Sequence, residues 1–412
     1  MTPPIAIDPA AIERYVRELA EHGACGQTGV CRPAYSPAWV AAQEQVGAWC
    51  AGAGLTTWQD AAGSVWGRLA GSEPGPVVAT GSHIDSVVPG GRYDGALGVI
   101  AGILAVRALR ERHGPPRRSI DVVSFAQEEN SRFPRSGLWS SRSITGLARP
   151  EELDTIRTYE GETLRAVLRS VGLDPGEMLS ARRDDIAAFI ELHVEQGPVL
   201  EEAGLAVGIV DAITGSSTFN VTITGRADHA GGCPMDLRRD PMTAVVPIVD
   251  GVLRTARAMG RPAVTTVGRM LVEPNLSGIV PEHVFFTVNA RHPFLDGYDE
   301  LRARHTALLE QVRAAHPELG IDWTVGAGPP TPCDPGMVRL LEDTAREQGI
   351  ATLTIPSGGG HDTQVMAGIC PSVMIFVQSR DGRSHTPDEY TAPEHAAAGV
   401  QLLAAALHRL AY

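Results

Sequence analysis

Histidine and carboxylate side chains at the ends of apolar runs are the residues of this 412-residue chain best suited to chemistry. Three imidazoles, one Asp and one Glu gathered in one crevice would match the ligands of a two-metal hydrolase. A second Glu beside the ligand Glu could then act as a general acid and base. The candidate residues, in chain order, are His83, Asp85, Asp94, Glu128, Glu129, His193 and His385.

Short apolar runs lead into three of these groups, and each run is typical of a buried strand in an α/β sheet. Residues 77–80 precede His83, residues 120–125 precede the Glu pair, and residues 186–192 precede His193. Polar groups at the carboxyl ends of such strands converge in one crevice. The sequence therefore predicts that these side chains meet, although each one alone is more often a surface or turn residue.

Helix and strand signals alternate up to about residue 211 and predict a layered α/β domain. Ser36-Pro37 is an N-cap followed by proline at the first helical position, so a helix is expected over residues 37–52. Apolar residues recur at helical spacing over residues 97–112, before Gly114-Pro115-Pro116 ends the pattern. Strands are expected at 77–82, 120–126 and 187–193.

The pattern of apolar and polar residues changes near residue 214 and indicates an α+β unit with one open sheet face. Residues 219–224 alternate apolar and polar side chains, as a half-exposed antiparallel strand does. A helix is expected from residue 240 to about 259, and Pro247 inside it indicates either a kink or that the segment is not a continuous helix. Further strands are expected at 263–272, 283–289 and 321–325, with a helix at 299–316 and a linker at 326–332.

The first domain is therefore predicted to be interrupted by the second. Asp334-Pro335 caps a new helix, and buried-strand signals resume at residues 372–377. The predicted organisation is a catalytic domain in two parts, residues 1–213 and 330–412, with an inserted α+β domain over residues 214–329.

Composition and charge argue against several classes of protein. The formal net charge of −13 makes a nucleic-acid backbone an unsuitable partner. No basic segment followed by an apolar core opens the chain, so no secretory signal is expected, and no run of about 18 apolar residues indicates a membrane span. The six cysteines lack CxxC spacing and are interpreted as free thiols, which favours the cytoplasm.

The segments around the candidate residues together resemble the hydantoinase/carbamoylase branch of the M20 metallopeptidase-like amidohydrolases. This branch includes N-carbamoyl-L-amino acid hydrolases, allantoate amidohydrolases and β-ureidopropionases. The resemblance covers nearly the whole chain, and six segments in the same order are more specific than any one of them. The segments are GSHIDSVVPGGRYDG, QEENSRF, ELHVEQGPVLE, RADHAGGCPMDLRRD, PSGGGHDTQVMA and RSHTPDEYT.

The resemblance implies two divalent metal ions in each subunit. Asp94 would bridge them. His83 and His193 would complete one site, and Glu129 and His385 would complete the other. Mixed nitrogen and oxygen ligands suit zinc, manganese, cobalt and nickel, so the ligand set does not select one metal.

The resemblance also implies metal-assisted hydrolysis of a C–N bond in a small N-carbamoyl or related amide compound. Glu128 would take a proton from a water molecule polarised by both ions and would later protonate the leaving nitrogen. Asp85 would orient His83 through the second ring nitrogen. N-carbamoyl-L-amino acids and allantoate-like compounds are the expected substrates. The alternatives are an M20-type N-acyl amino acid deacylase or peptidase, and a non-catalytic relative.

The inserted domain is implied to be a lid through which the protein forms a homodimer. Its His229 would reach the partner subunit's active site and stabilise the developing oxyanion. Gln196, Arg291 and Gly359 would help to hold the substrate, with Arg291 pairing bidentately with a carboxylate.

Three positions depart from the family pattern. Gly278 stands where the family usually has an Asn that contacts the substrate, and Cys233 replaces part of a usual Thr-Thr pair after the lid histidine. Asn130 follows the Glu pair where Gly is common. Because the metal-ligand set is intact, these changes bear on the substrate more than on the type of reaction.

Overall fold

The computed structural model describes residues 5–134 and 136–412 of the chain. Residues 1–4 and Arg135 lie outside these ranges. The prediction that no secretory signal opens the chain falls partly on residues 1–4. Within the described ranges, no helix combines the length and the apolar character needed to cross a membrane.

Helices and strands alternate through most of the described chain. The α-helices are α1 (Pro9–Glu21), α2 (Pro37–Gly52), α3 (Ala96–His113), α4 (Trp139–Ile144), α5 (Glu152–Thr155), α6 (Leu164–Ser170), α7 (Val199–Ala203), α8 (Met242–Met259), α9 (Leu295–Ala315), α10 (Pro335–Gln348), α11 (Asp362–Met366) and α12 (Pro393–Ala411). The strands are β1 (Ala24–Cys25), β2 (Gly29–Val30), β3 (Thr56–Gln59), β4 (Val65–Leu69), β5 (Val77–His83), β6 (Ile120–Phe125), β7 (Ile186–Val194), β8 (Val207–Ile213), β9 (Gly215–Thr224), β10 (Asp228–His229), β11 (Val264–Glu273), β12 (Ile279–Val280), β13 (His283–His292), β14 (Gly320–Gly328), β15 (Thr331–Pro332), β16 (Thr352–Ser357) and β17 (Ser372–Val377). Short 3-10 helices cover Pro175–Ala181 and Arg380–Gly382.

The chain divides into two compact units. The first contains the residues up to Asp211 together with Cys333–Ile355 and Gly359–Tyr412. The second contains Ala212–Pro332 and Pro356–Gly358. The sequence placed the inserted domain at residues 214–329 and did not assign residues 356–358 to it.

The first unit is built on a sheet whose central strands are parallel. Its strands follow the order β8-β17-β7-β5-β6-β4-β3, and β16 pairs with β8. Strand β5 is parallel to both β6 and β7, and β7 is parallel to β17. Because these four strands run in one direction, their carboxyl ends lie at one edge of the sheet.

Helices cover both faces of this sheet, as the buried residues of the strands require. On one face, Val123 and Phe125 of β6 pack in a cluster with Ile144 of α4 and Met366 of α11. Helix α3 packs on the other face, where a Cβ added at Gly98 would lie 2.2 Å from the carbonyl oxygen of Leu192. The layered α/β fold predicted from the sequence is therefore confirmed.

The second unit has a separate antiparallel sheet in the order β11-β13-β9-β14. Side chains of β9 and β13 alternate between buried and partly exposed positions, so one face of the sheet is buried. Phe219, Val221 and Phe286 from that face share a core with Ile248 of α8 and Leu309 of α9. The predicted α+β character is thus confirmed, and α8 continues as a helix through Pro247.

Two expectations are wrong. Residues 326–332 were predicted to be a linker, but β14 continues to Gly328, and Thr331–Pro332 forms β15 against the end of β8. Cys25 and Cys31 were interpreted as free thiols, but the paired strands β1 and β2 bring their Cα atoms to 6.0 Å, and they form a disulfide. The other cysteines are free thiols, as expected: Cys50, Cys233, Cys333 and Cys370.

Candidate metal centre

Each candidate ligand lies at or just beyond the carboxyl end of a parallel strand. His83 is the last residue of β5, and His193 is the last but one of β7. Glu129 follows the end of β6, and His385 lies in the loop that follows β17. Asp94 comes from the loop between β5 and α3. The parallel arrangement of the strands therefore places all five residues at one edge of the sheet.

Asp94 lies at the centre of the cluster. Its Oδ1 is 3.2 Å from Nε2 of His193 and 3.6 Å from Nε2 of His83. Its Oδ2 is 3.1 Å from Nε2 of His385, and that nitrogen is 3.3 Å from Oε1 of Glu129. The structure thus brings together the five residues that were predicted to be metal ligands.

Two of the three groups of potential metal ligands in the described residues contain Asp94. One consists of His83, Asp94 and His193, and the other of Asp94, Glu129 and His385. The third consists of Glu191, His193 and His361. Within each group the candidate ligand atoms lie within 4.8 Å of one another. A carboxylate has two oxygens and can contact two cations, whereas each imidazole offers one nitrogen here.

The buried imidazoles present Nε2 to Asp94 because their Nδ1 atoms are used elsewhere. Nδ1 of His83 lies 3.0 Å from the carbonyl oxygen of Asp85, and Nδ1 of His193 lies 2.9 Å from that of Val194. A carbonyl oxygen only accepts, so each Nδ1 carries hydrogen and each Nε2 is left with a lone pair in the neutral ring. This tautomer is the one that can bind a metal through Nε2.

Oδ1 of Asp94 provides a test of whether a cation fits this site. This oxygen is buried and has no hydrogen-bond partner in the described chain, although two imidazole nitrogens face it. Buried polar atoms in native proteins are nearly always satisfied. A divalent cation beside Oδ1 would satisfy it, so the residues fit a metal ion. Nε2 of His193 already accepts the backbone N–H of Gly95 at 3.1 Å.

The charges of the cluster favour binding of cations. Burial disfavours the charged form of Asp94, but the adjacent imidazoles of His193 and His385 hold its pKa well below its usual range. The hydrogen bond with Asp94 raises the pKa of His385 to about 9 despite partial burial. Burial and the charge of Asp94 raise the pKa of Glu129 to about 7. Protons therefore occupy some of these groups in the metal-free protein, and metal binding would release them.

Asp85 has a wider structural role than the one expected. The nearest acceptor for Nδ1 of His83 is the backbone carbonyl of Asp85, because the Asp85 carboxylate lies further away at 3.4 Å. That carboxylate accepts the backbone N–H of Glu128 at Oδ1 and of Glu129 at Oδ2, each at 3.1 Å. Asp85 is therefore placed to fix the end of β5 against the turn after β6.

Glu128 lies beside the candidate ligands and belongs to none of the metal-ligand groups found in the described residues. Its Oε2 is 3.9 Å from Nε2 of His83. Burial raises the pKa of Glu128 well above its usual range, and the neighbouring charges of Glu129 and Asp362 raise it further. A carboxyl group with a raised pKa next to a ligand cluster can both accept and return a proton.

The predicted substrate residues divide between the two units. In the first unit, Nε2 of Gln196 donates to Oδ2 of Asp94 at 3.0 Å, and a Cβ added at Gly359 would lie 2.9 Å from Oε1 of Gln196. In the second unit, Arg291 donates from Nη1 to the carbonyl oxygen of Gly358. His229 lies in β10, where its Nδ1 accepts the backbone N–H of two following glycines.

Several residues of this cluster carried no assigned role in the sequence interpretation. The carboxylate of Glu191 accepts hydrogen bonds from Ser82 at Oε1 and from Thr363 at Oε2, so protein donors already occupy both oxygens. The ring of His361 lies 4.4 Å from that of His193, centroid to centroid. The motifs GGGHD and SHTPDE, which resemble the family, were the only signal for the missed residues: His361, Asp362, Ser384 and Glu389.

The fold and the site together define an α/β protein with a candidate metal centre at the carboxyl edge of a parallel sheet. The chain belongs to the peptidase family M20/M25/M40, whose model matches residues 79–409. It is 36% identical over 403 residues to an allantoate amidohydrolase of Bacillus subtilis (strain 168), with 98% of each chain covered. It is 38% identical over 395 residues to an N-carbamoyl-L-amino acid amidohydrolase of Geobacillus stearothermophilus, with 94% of each covered.

The chain is also similar to solved structures of hydantoinase/carbamoylase family amidases. A hydantoinase/carbamoylase family amidase from Burkholderia multivorans matches with a TM-score of 0.89 and 32% identity, and the match covers 98% of each chain. The resemblance drawn from the six segments is thereby confirmed. Membership of this family, over nearly the full length of its relatives, makes the chain a hydrolase.

Proposed function

We propose that the chain is a dinuclear metal-dependent amidohydrolase that cleaves a non-peptide C–N bond in a small N-carbamoyl or related ureido compound. The observation that carries the proposal is the position of Asp94, whose two oxygens face the Nε2 atoms of three imidazoles. A carboxylate shared by two ligand groups is the arrangement that two-metal hydrolases use. The names of two similar proteins, an allantoate amidohydrolase and an N-carbamoyl-L-amino acid amidohydrolase, support the substrate class.

His83, Asp94 and His193 would hold one ion, and Asp94, Glu129 and His385 would hold the other. Two bound divalent ions would supply Lewis acidity, which lowers the pKa of water and polarises a carbonyl oxygen. Glu128 would accept the proton of the attacking water on its carboxylate and deliver a proton to the leaving nitrogen. Its position beside the ligand groups, outside both of them, supports this role.

Substrate positioning is the part of the proposal that rests most on the family. Gln196 is 3.0 Å from Asp94 through its Nε2, so its amide is suited to contact a substrate held beside the ligands. Gly359 leaves room next to that amide. Arg291 would pair with a substrate carboxylate. We extend the proposal to a homodimer formed through the second unit, in which His229 of one subunit stabilises the oxyanion at the site of the other.

A substrate panel with detection of ammonia tests the reaction. The protein is stripped with EDTA, reconstituted separately with Mn, Co, Ni or Zn, and assayed on N-carbamoyl-L-amino acids, allantoate and N-acetyl-L-amino acids. We expect ammonia from at least one carbamoyl or ureido compound and no activity before reconstitution. Hydrolysis confined to the acetyl compounds would instead identify a deacylase, and an inert protein without bound metal would contradict any enzymatic role.

Metal stoichiometry tests the shared carboxylate. Wild-type protein is expected to bind two ions, His385→Ala one, and Asp94→Ala neither, because Asp94 alone belongs to both groups. A His408→Ala variant is a matched control, since His408 is a histidine of α12 outside the cluster. Equal loss of metal from the His385 and Asp94 variants would contradict a shared ligand.

The dimer proposal has its own test. Glu128→Gln and His229→Ala proteins, each expected to have strongly reduced activity alone, are unfolded, mixed and refolded together. If His229 acts across the dimer, mixed dimers contain one site with both residues intact and recover activity. Failure to recover activity in mixtures shown to contain mixed dimers would place His229 in its own subunit's site or outside catalysis.

A further inference from the structure

In the ligand group of Asp94, Glu129 and His385, two members lie in loops. Asp94 lies in the loop of residues 84–95 between β5 and α3. His385 lies in the loop of residues 378–392 between β17 and α12, with a backbone φ of 56°. A non-glycine residue in that conformation persists only where its surroundings hold it. The contacts that fix these two loops therefore decide whether the ligands meet.

Glu389 makes hydrogen bonds to both loops. Its Oε1 accepts the backbone N–H of Tyr93 at 2.8 Å and that of Asp94 at 2.9 Å. Its Oε2 accepts the hydroxyl of Ser384, the residue before His385, at 2.6 Å. Ser384 also lies 3.0 Å from Oδ2 of Asp94. One side chain thus joins the backbone of one ligand to the neighbour of another.

The surroundings of Glu389 are built around this carboxyl group. Glu389 is only 4% exposed. A Cβ added at Gly91 would lie 2.3 Å from its Oε1, so the loop leaves space there for the carboxylate. If Glu389 were removed, the buried backbone N–H groups of Tyr93 and Asp94 would lose their acceptor, which is costly in the interior of a protein.

Glu389 is not itself placed as a metal ligand. Protein donors occupy both of its oxygens, and it belongs to no metal-ligand group among the described residues. We infer that Glu389 is a positioning residue that holds Asp94 and His385 in register for the second cation. The part of this inference that concerns the cation rests on the proposed function, whereas the part that concerns the loops does not.

Three substitutions at this position separate reach from charge. In Glu389→Gln the amide oxygen can still accept from Tyr93 and Asp94, and the amide nitrogen can donate to Ser384, whose hydrogen then serves Asp94. Glu389→Asp keeps the charge but is one methylene shorter, so it cannot contact both loops at once. Glu389→Leu keeps the volume and removes both acceptors.

The first readout is hydrogen exchange in metal-free protein, followed on peptides that contain Tyr93 and Asp94. We expect the Leu and Asp variants to exchange there at least about tenfold faster than wild type, and the Gln variant to match it. Asp60→Leu is the control, because Asp60 also accepts two backbone N–H groups and one side-chain donor, in the β3–β4 turn. Unchanged exchange in folded Leu and Asp variants would overturn the inference.

The second readout is the affinity for each of the two ions, titrated with Zn or Co against a chelator. A lost supporting contact typically lowers metal affinity by about 10–100-fold, so we expect that loss in the Asp and Leu variants only. If the Leu variant does not fold, the metal affinities of the Gln and Asp variants are compared with each other. If the Asp variant binds metal more tightly than the Gln variant, the charge of the side chain and not its length sets the metal affinity, which would contradict the inference. Wild-type protein that binds no second ion would contradict the proposed function and leave the exchange result to judge the loops.

Discussion

Glu128 and Glu129 are neighbours in sequence, but their surroundings suit different tasks. Glu129 lies 3.3 Å from His385 within a ligand group, whereas Glu128 lies outside the groups found in the described chain. Replacing Glu128 with Gln should therefore lower kcat by about 10²–10⁴-fold, the usual contribution of a general acid or base, with both ions retained. Glu129→Gln should instead lose one ion. Steady-state kinetics and metal analysis of both variants check this, and an active Glu128→Gln protein would remove Glu128 from the mechanism.

Gly278 is the residue that bears most directly on substrate choice. It immediately precedes β12, which pairs with β10, and its carbonyl oxygen accepts the N–H of Ala230 next to His229. A Cβ added at Gly278 would have no atom within 4 Å, and its φ is not in the left-handed region, so a side chain fits here.

Gly278→Asn should accordingly leave the free energy of unfolding within about 0.5 kcal/mol of wild type. If the missing amide shapes specificity, the variant should change the order of kcat/KM values across the substrate panel. Gly278→Ala is the control, since it adds a Cβ without an amide. Identical substrate rankings for all three proteins would mean that this position does not select the substrate.

At the scale of elements, periodicity predicted the strands and helices that position the site. β5, β6 and β7 were expected within about two residues of their observed bounds because each is a buried run that ends at a polar residue. The strand predicted at 321–325 ended before the observed end of β14 at Gly328, because the last residues of β14 are exposed and do not alternate between apolar and polar. The support from Glu389 could not be predicted, since its partner Asp94 is 295 positions away and only the folded chain joins them.

The buried His305 is expected to make the second unit sensitive to acid. It lies in α9 and is 1% exposed, its Nε2 is 3.0 Å from the hydroxyl of Thr265 in β11, and its Nδ1 has no partner among the described residues. Burial lowers the pKa of His305 to about 4. The unfolded chain takes up this proton near pH 6.5, so the stability that the neutral ring contributes is complete above that pH and is lost as the pH falls toward 4.

Wild-type protein should therefore lose up to about 3 kcal/mol more than His305→Gln between pH 7 and pH 4. Gln is neutral throughout this range and can still pair with Thr265. Hydrogen exchange of β11 and α9 peptides at a series of pH values measures the difference. Parallel pH profiles for the two proteins would show that His305 is not the group responsible.

At the scale of the whole molecule, the change in the pattern of apolar and polar residues near residue 214 was enough to predict two units. The alternating strand of residues 219–224 is open on one face, whereas the strands of the first unit are buried on both, and this difference is visible in the sequence. Residues 356–358 could not be assigned to the second unit from sequence, because the first two are the end of β16, whose other residues belong to the first unit.

The candidate ligands all belong to the first unit, so bound metal is expected to stabilise that unit. A ligand that binds only the folded state stabilises it by about 2.7 kcal/mol at a hundred times its Kd. Added metal should therefore slow hydrogen exchange in β5, β7 and β17, while β9 and β13 of the second unit stay unchanged. EDTA should reverse the effect, and Asp94→Ala should abolish it. Equal protection of both units, or protection that survives in the Asp94 variant, would mean that the ions bind elsewhere than at the carboxyl edge of the parallel sheet.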